Sequence, residues 1–158
     1  MWQSELENLY DGYNQQLYLC ALAVTGCRDR AEDAVHEAFS RLLKLERKPQ
    51  NTKAYAFQSV RNAAIDFQRR NGKTSSLVED CFADPKENPR NIAAQRQMQR
   101  RVAQALETLG PDERETIIQH LYAGLTFREI AEMRNCPQGT VVSWHRRGLE
   151  KLRGILEE

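Results

Sequence analysis

Residues 124–153 restrict the possible folds of this chain more than any other stretch, because they contain signals for two neighbouring helices. Thr126 followed three residues later by Glu129 is a capping-box pattern, which predicts that a helix begins there. Residues 135–139 read Asn-Cys-Pro-Gln-Gly and interrupt this helix, since proline and glycine disfavour its continuation. A second helix is predicted from about Gln138. Its inward side, at helical spacing, consists of Val141, His145, Gly148 and Leu152.

The outward side of this second predicted helix is basic. Arg146 and Arg147 lie there beside Val142 and Ser143. Two short helices about a tight turn, the second with basic groups outside, match the plan of a helix-turn-helix that enters a major groove. The alternative is a solvated charged face, since many helical hairpins carry exposed arginines and bind nothing. The pattern favours DNA binding.

The whole chain is predicted to be all-α. Apolar residues recur at helical spacing almost everywhere, and no stretch alternates convincingly in the manner of a β-strand. A length of 158 residues with 41% hydrophobic residues suits one domain or two small ones. Five prolines and eight glycines are too few for a disordered chain.

A break in the helical spacing predicts the domain boundary. Residues 71–90 contain Gly72, two serines, Pro85 and Pro89 with a net acidic charge, which is typical of a linker. Loops of about twenty residues are uncommon inside one compact domain. We therefore expect two small helical domains, residues 1–72 and 91–158, joined by a flexible linker at residues 73–90.

Local signals predict where several helices begin and end. Gly26 is placed to stop the first helix as a left-handed cap, and Asp29 with Glu32 forms a second capping-box pattern. Thr52 is a candidate cap for the third helix, and Pro111 suits the first position of a later one. The spacing places the following residues on buried sides: Leu6, Leu9, Tyr10, Tyr13, Leu17, Cys20, Val35, Ala38, Phe39, Leu42, Phe57, Val60, Ala64, Phe67, Met98, Val102, Ala105, Leu109, Ile117, Ile118, Leu121 and Tyr122.

Charge is distributed unevenly along the chain. The total of +1 argues against unspecific nucleic-acid binding. Residues 1–46, however, carry −4, whereas residues 53–73 carry +4 and residues 138–153 carry +3. Two basic helices separated by acidic stretches predict two contacts with nucleic acid and one contact with a basic protein surface.

Two of these charged stretches present surface patterns with open alternatives. Asp33, Glu37 and Arg41 recur every fourth residue, which indicates either a local ion-pair ladder or an acidic docking face, with the ladder slightly favoured. The predicted third helix exposes Tyr55 among basic and amide groups. Aromatic rings beside such groups can stack on unpaired bases, although Tyr55 also fits a partly buried core edge.

The sequence lacks the patterns of catalytic, metal-binding and membrane proteins. The four cysteines form no Cys-x-x-Cys pair, so free thiols in a reducing cytoplasm are the simplest account. The three histidines fall on different predicted helices, and no nucleophile motif or Gly-rich phosphate loop occurs. The apolar run at residues 17–24 is far shorter than the ~20 residues of a membrane span. We expect a cytoplasmic protein without enzyme activity, metal, cofactor, small-molecule substrate or membrane insertion.

Three motifs resemble the extracytoplasmic-function (ECF) group of bacterial RNA polymerase sigma factors. Residues 31–39, Ala-Glu-Asp-Ala-Val-His-Glu-Ala-Phe, resemble the Ala-Glu-Asp-Leu-Val-Gln-Glu-Val-Phe signature of region 2. Residues 60–70, Val-Arg-Asn-Ala-Ala-Ile-Asp-Phe-Gln-Arg-Arg, are similar to Ala-Arg-Asn-Leu-Ala-Ile-Asp-Tyr-Leu-Arg-Arg. Residues 109–111 and 124–141 resemble region 4. The resemblance covers nearly the whole chain, and the three motifs occur in the family's order.

The resemblance implies a promoter-specific transcription initiation factor. Region 2 would dock on the largest subunits of core RNA polymerase through Asp33, His36 and Glu37. It would also capture the melted minus-ten strand, with a flipped base in the loop at residues 48–51, through Lys48, Asn51, Tyr55, Arg61, Asn62, Arg69 and Arg70. Region 4 would read the minus-thirty-five duplex through Thr126, Gln138, Thr140, Val142, Ser143, Trp144, Arg146 and Arg147. The linker would run through the polymerase channel, and an anti-sigma factor is a further expected partner.

Some residues depart from the family pattern. His36 replaces a glutamine of the docking signature, and His145 replaces a leucine and is expected at the edge of the core. Val142 and Trp144 stand where the family commonly has lysine and arginine, and Trp144 could face either the DNA or the core.

The sequence pattern has three alternatives to a sigma factor. A conventional dimeric helix-turn-helix regulator would bind a palindrome without polymerase, but it leaves the acidic signature unexplained. An enzyme is disfavoured because the sequence contains no nucleophile motif, phosphate loop or metal-ligand cluster. A pure adaptor or anti-sigma antagonist that imitates region 4 would not need the region 2 motifs.

Overall fold

The computed structural model describes residues 2–71 and 92–157 of the chain, in which the regular secondary structure is helical and no β-strand occurs. This result confirms the all-α prediction. The predicted linker at residues 73–90 lies outside the described residues. The elements are α1 (Trp2–Thr25), α2 (Arg28–Leu43), α3 (Thr52–Asn71), α4 (Ile92–Glu107), α5 (Pro111–Ile117), a π-helical turn (Ile118–Tyr122), α6 (Phe127–Arg134) and α7 (Gln138–Leu156).

The first three helices pack against one another in all three pairs and form the N-terminal domain. α1 ends where predicted, because Gly26 takes a left-handed φ of 64° and its N–H donates to the Leu22 carbonyl at 2.8 Å. Apolar side chains from all three helices form the interior of this domain, among them Leu17, Val35 and Val60.

Two predicted helix caps of this domain are wrong. The capping box at Asp29 does not form, because α2 already begins at Arg28 with Cys27 as its N-cap. The Thr25 hydroxyl holds this earlier start, accepting from the Cys27 N–H at 3.3 Å and donating to the Cys27 carbonyl at 3.1 Å. At α3, the side chain of Asn51 rather than Thr52 accepts the Ala54 N–H, at 3.1 Å.

The later helices form the C-terminal domain around the contact of α5 with α7. Pro111 opens α5 as predicted. Gly148 of α7 allows the two helices to approach closely, because a Cβ at this position would lie 3.0 Å from Cγ1 of Ile117. A larger residue at Gly148 would therefore push the helices apart.

Three residues predicted to be buried in this domain are exposed. Leu121 is 54% exposed and Tyr122 is also exposed, because they lie within the π-helical turn, which is followed by a bond from the Ala123 N–H back to Ile118. The extra residue in that turn breaks the 3.6-residue spacing that the prediction assumed. Met98 is exposed as well, since α4 contacts α7 mainly and its residues 93–98 are all exposed.

The two domains pack against each other. α1 contacts α5 and the π-helical turn, and α3 contacts α6. One continuous set of buried apolar residues extends from Leu17 in α1 to Leu152 in α7. The sequence predicted two domains but did not predict this contact between them.

Candidate nucleic-acid and protein interfaces

The helix-turn-helix has the local geometry that its sequence predicts. The Thr126 hydroxyl accepts the Glu129 N–H, and the Glu129 carboxylate accepts the Thr126 N–H, both at 3.1 Å. Asn135 closes α6 in the left-handed conformation with φ 53°, which asparagine tolerates better than most residues. Pro137 then caps α7, which begins at Gln138. The turn is therefore defined by residues within a few positions of one another.

The second helix of this motif, α7, has one buried and one exposed side. Val141, Gly148 and Leu152 are buried as predicted. The opposite side exposes three residues at four-residue intervals, Gln138, Val142 and Arg146. Val142 is 42% exposed. Of the other residues predicted to contact duplex DNA, Thr126 and Arg147 are exposed, whereas Thr140, Ser143 and Trp144 are half-buried. An exposed helix face that carries polar and basic side chains beside one apolar side chain suits a DNA groove.

Trp144 packs within the motif rather than standing free. The guanidinium of Arg134, at the end of α6, lies 4.2 Å from the centre of the indole ring. Arg134 is itself held by Asp112 at 2.6 Å and by the Thr116 hydroxyl at 2.8 Å, and its side chain is only 3% exposed. The ring therefore helps to fix α7 against α6 and α5.

Two histidines lie at the edge of the core of the C-terminal domain. His120 stacks on Phe127 with centroids 4.2 Å apart, and His145 meets the same ring edge-on at 5.0 Å. Burial and the neighbouring His120 lower the pKa of His145 below its ordinary value. No metal-binding cluster of histidine, cysteine or carboxylate occurs in residues 2–71 and 92–157. His145 therefore occupies the core-edge position expected for it.

The acidic face of α2 contains a local ion pair and also exposes side chains that take part in no such pair of the ladder. Glu37 pairs with Arg41 at 2.6 Å, so part of the predicted ladder exists. Asp33 and His36 are exposed on the same helix. Because exposed ion pairs contribute only about 0–1 kcal/mol, the Glu37–Arg41 pair is no obstacle to docking of a protein partner.

The residues predicted to contact the minus-ten strand lie on the loop before α3 and along α3. Tyr55 is 41% exposed, and Asn62, Arg69 and Arg70 are exposed. Lys48 pairs with Glu5 at 2.8 Å, and the side chain of Asn51 caps α3. Most of this set therefore lies at the surface.

Arg61 differs from the others, because the sequence predicts an exposed side chain and the structure buries most of it. Its guanidinium donates two hydrogen bonds to Glu115 of α5, at 2.6 and 3.2 Å, with the two side chains 18% and 9% exposed. Gln119 donates to the same carboxylate at 2.6 Å, and Arg134 lies 3.6 Å from it. Burial opposes the charge of Arg61, but the hydrogen bond and the charge of Glu115 outweigh it, so the pKa of Arg61 is raised.

A second ion pair also joins the domains, and residues of both domains line a cleft. Lys53 of α3 pairs with Glu129 of α6 at 3.0 Å. The cleft beside this pair is lined by residues of the loop before α3 and of α3, including Asn51 and Tyr55, and by Glu132 and Met133 of α6.

Comparison with known proteins identifies the family. Residues 9–74 match Sigma-70 region 2, and residues 105–154 match Sigma-70, region 4. The ECF RNA polymerase sigma factor SigL of Mycobacterium tuberculosis is 30% identical over 95% of this chain and 88% of its own length. The chain belongs to the ECF sigma factors.

Other relatives agree with this assignment. SigX of Bacillus subtilis is 25% identical over 94% of this chain and 82% of its own length. SigE of Mycolicibacterium smegmatis is 27% identical over 95% of this chain, which spans only 61% of that relative. The sigma factor RpoE of Bartonella quintana, solved in complex with the anti-sigma factor NepR, shares the fold with a TM-score of 0.70, at 22% identity, over 98% of this chain and 96% of its own.

The assignment names the two domains of this sigma factor. The domain of α1–α3 is region 2, and the domain of α4–α7 contains region 4. The predicted function, transcription initiation by a sigma factor, is confirmed, and a conventional helix-turn-helix regulator is not favoured. None of the helices in the described part of the chain combines the length and hydrophobicity that a membrane span requires.

Sequence reasoning missed the residues that join the domains of this sigma factor. Glu115, Glu129 and Arg134 carry no motif that marks them as interdomain or buried contacts. Glu129 was recognised only as part of a capping box, which is a local role. Arg61 and its partner are 54 positions apart, so no local pattern relates them.

Proposed function

We propose that this sigma factor holds core RNA polymerase through α2 and contacts promoter DNA at two places. Asp33, His36 and Glu37 form the polymerase-docking face. Region 2, residues 1–72, captures the melted minus-ten strand, and region 4, residues 91–158, reads the minus-thirty-five duplex, with residues 73–90 between them. It acts in the cytoplasm, where polymerase and DNA are, as an initiation factor and not an enzyme.

The observation that carries this proposal is that three helices expose surfaces of different charge. α2 exposes Asp33 and His36, α3 exposes Asn62, Arg69 and Arg70, and α7 exposes Arg146 and Arg147. An acidic surface fits a basic protein partner, a basic helix beside an aromatic ring fits unpaired DNA, and a basic recognition helix fits a groove. Weak contacts at three places become strong when polymerase holds them together.

The first test is co-elution of the protein with bacterial core RNA polymerase on a sizing column. Asp33→Ala/Glu37→Ala is compared with Asp29→Ala/Glu32→Ala, which removes the same charge from the first turns of the same helix. We expect stoichiometric co-elution of the wild type and the control, and its loss in the first variant. If the wild type never binds polymerase yet shifts a DNA duplex alone, the docking assignment is wrong.

We also propose that an anti-sigma protein binds this chain, because apolar side chains are exposed on both domains. Leu43 lies exposed at the end of α2, and Leu121, Val142 and Ile155 are exposed in the C-terminal domain. The structurally similar sigma factor RpoE of Bartonella quintana was solved in complex with the anti-sigma factor NepR. Co-purification of the tagged protein from its own cells, followed by reconstitution with each captured protein and core polymerase, tests this. A captured protein that fails to compete with polymerase is not the antagonist.

A further inference from the structure

We propose that Arg134 is a positioning residue for the reading of duplex DNA: through the indole ring of Trp144 it fixes the orientation of α7, and with it the ability of region 4 to discriminate between base sequences. This inference rests on the proposed function of region 4 and deepens it. It assigns part of the sequence discrimination to a buried side chain that does not itself contact DNA.

The guanidinium of Arg134, the last residue of α6, is enclosed by groups of α5. Its Nη2 donates to the Asp112 carboxylate at 2.6 Å, and its Nη1 donates to the Thr116 hydroxyl at 2.8 Å and to the Asp112 carbonyl at 3.4 Å. A carboxylate oxygen of Glu115 lies 3.6 Å away. The Arg134 side chain is only 3% exposed. The guanidinium is therefore held in one place, and it is too deeply buried to bind a phosphate.

The indole ring of Trp144 covers one face of this guanidinium, with its centre 4.2 Å away. Trp144 follows buried Val141 by three residues and precedes buried Gly148 by four, so it lies on the inward flank of α7. Tryptophan is the aromatic residue that attracts a cation most strongly. One guanidinium thereby connects α5, α6 and α7, the three helices that determine how the recognition helix is presented.

Reading of bases is more sensitive to the placement of a helix than binding of phosphates is. Hydrogen bonds to base edges weaken steeply with distance and angle, so the side chains that make them must be held within about 0.5 Å of their productive geometry. The attraction between charges falls only with the inverse of their distance, so basic side chains still bind phosphates after a small shift. Release of the Trp144 ring would therefore lower sequence discrimination more than total affinity.

The experiment measures this discrimination directly. Duplexes that bind the complex of the wild-type protein with core RNA polymerase are selected from a randomised pool. The best duplex is then compared with a copy in which only the enriched upstream element is scrambled. The ratio of the two dissociation constants gives the discrimination of each variant.

The first variant, Arg134→Met, removes the guanidinium and keeps an unbranched side chain. We expect the ratio to fall about fivefold, a loss of the size of one cation–π contact. Binding of the scrambled duplex should change by less than about twofold, and the salt dependence of binding should be unchanged, because Arg134 contacts no phosphate. Arg153→Met removes the same charge from an exposed side chain of α7 and should leave the ratio unchanged.

Fluorescence tests whether Arg134 acts through the ring. The chain has two tryptophans, so in a Trp2→Phe background only Trp144 emits. We expect acrylamide to quench this emission more strongly in Arg134→Met than in the parent, because the ring loses the group that covers one face. A lower ratio with unchanged quenching would show that Arg134 acts by another route and would overturn the inference.

A second variant loosens Arg134 from the surface. The Asp112 side chain is 60% exposed, so Asp112→Ala leaves the core intact. Loss of a negative charge should make any duplex bind at least as tightly, whereas the ratio should fall about two- to fivefold, as suits a partly exposed ion pair. Glu150→Ala removes the same charge from exposed α7 and should keep the ratio. Unfolding cannot raise affinity while it lowers discrimination, so this variant decides even if Arg134→Met is unstable.

The outcomes separate this inference from the proposed function. An unchanged ratio in both variants overturns the inference and leaves duplex reading by region 4 intact. A parallel loss of binding to both duplexes also overturns it, because general loss of structure has that effect. A salt slope reduced by about 1 in Arg134→Met would show a direct phosphate contact instead. If the wild type enriches no upstream element, the duplex-reading role is refuted and the inference with it.

Discussion

Replacing Arg61 of region 2 by alanine should destabilise region 4, the other domain. Its guanidinium is the region 2 half of a largely buried ion pair with Glu115. Charged hydrogen bonds contribute about 1.5–3 kcal/mol. The larger loss of about 3–5 kcal/mol for stranding a buried charge is not expected, because Gln119 and Arg134 still neutralise and solvate Glu115. With a urea m-value of about 1–3 kcal/mol/M, the transition midpoint should fall by about 1 M.

The positions of the two tryptophans permit a direct assay. Trp2 lies in α1 and Trp144 in α7, so a Trp2→Phe background leaves one fluorophore, and that fluorophore reports region 4. Urea unfolding followed at Trp144 should shift on Arg61→Ala, although Arg61 belongs to the other domain. Arg69→Ala, on the exposed face of the same helix, should leave the midpoint within about 0.5 kcal/mol of the parent. If Arg61→Ala leaves the Trp144 transition unchanged, the domains are not coupled through this pair.

Three further predictions concern region 4. Gly148→Ala should destabilise region 4 by about 1–3 kcal/mol in urea unfolding, because the added Cβ overpacks against α5. Gly154→Ala has open space around its Cβ and should stabilise region 4 by up to about 1 kcal/mol. Equal effects of the two variants would contradict the packing argument. The lowered pKa of His145 means that its contribution to stability is complete above the ordinary value of 6.5 and is lost as the pH falls through the folded-state pKa. His145→Phe should therefore reduce the fall of the melting temperature at acid pH. An unchanged fall would show that other groups cause it. Arg146→Ala should weaken duplex binding by the polymerase complex and reduce its salt slope by about 1, compared with Arg153→Ala near the end of α7, which should change neither.

The local structure of this protein could be predicted from its sequence with few errors. The capping box of Thr126 and Glu129, the left-handed stop at Gly26 and the start of α5 at Pro111 all form as expected. Each of these signals acts through hydrogen bonds or dihedral limits within four residues. The apolar spacing of α7 likewise predicted its buried side, because a regular helix converts sequence spacing directly into direction.

The errors occur where a local rule competes with another contact. Thr25 starts α2 early and displaces the cap predicted at Asp29. The π-helical turn contains Leu121, changes the helical spacing there and exposes its side chain. The orientation of Trp144 was undecided from the sequence, since its ring is positioned by Arg134 on another helix, and that arginine by Asp112 on a third.

The sequence by itself therefore determined the helices, the helix-turn-helix and the membership of the sigma family, since these depend on neighbouring residues and on ordered motifs. Only the tertiary structure decided which charges are available. The sequence predicts that Arg61 of α3 is exposed and contacts DNA. In the structure Glu115, 54 positions later, accepts two hydrogen bonds from the Arg61 guanidinium. A salt bridge between domains depends on how two independently folded surfaces meet. No spacing rule within one helix contains that information.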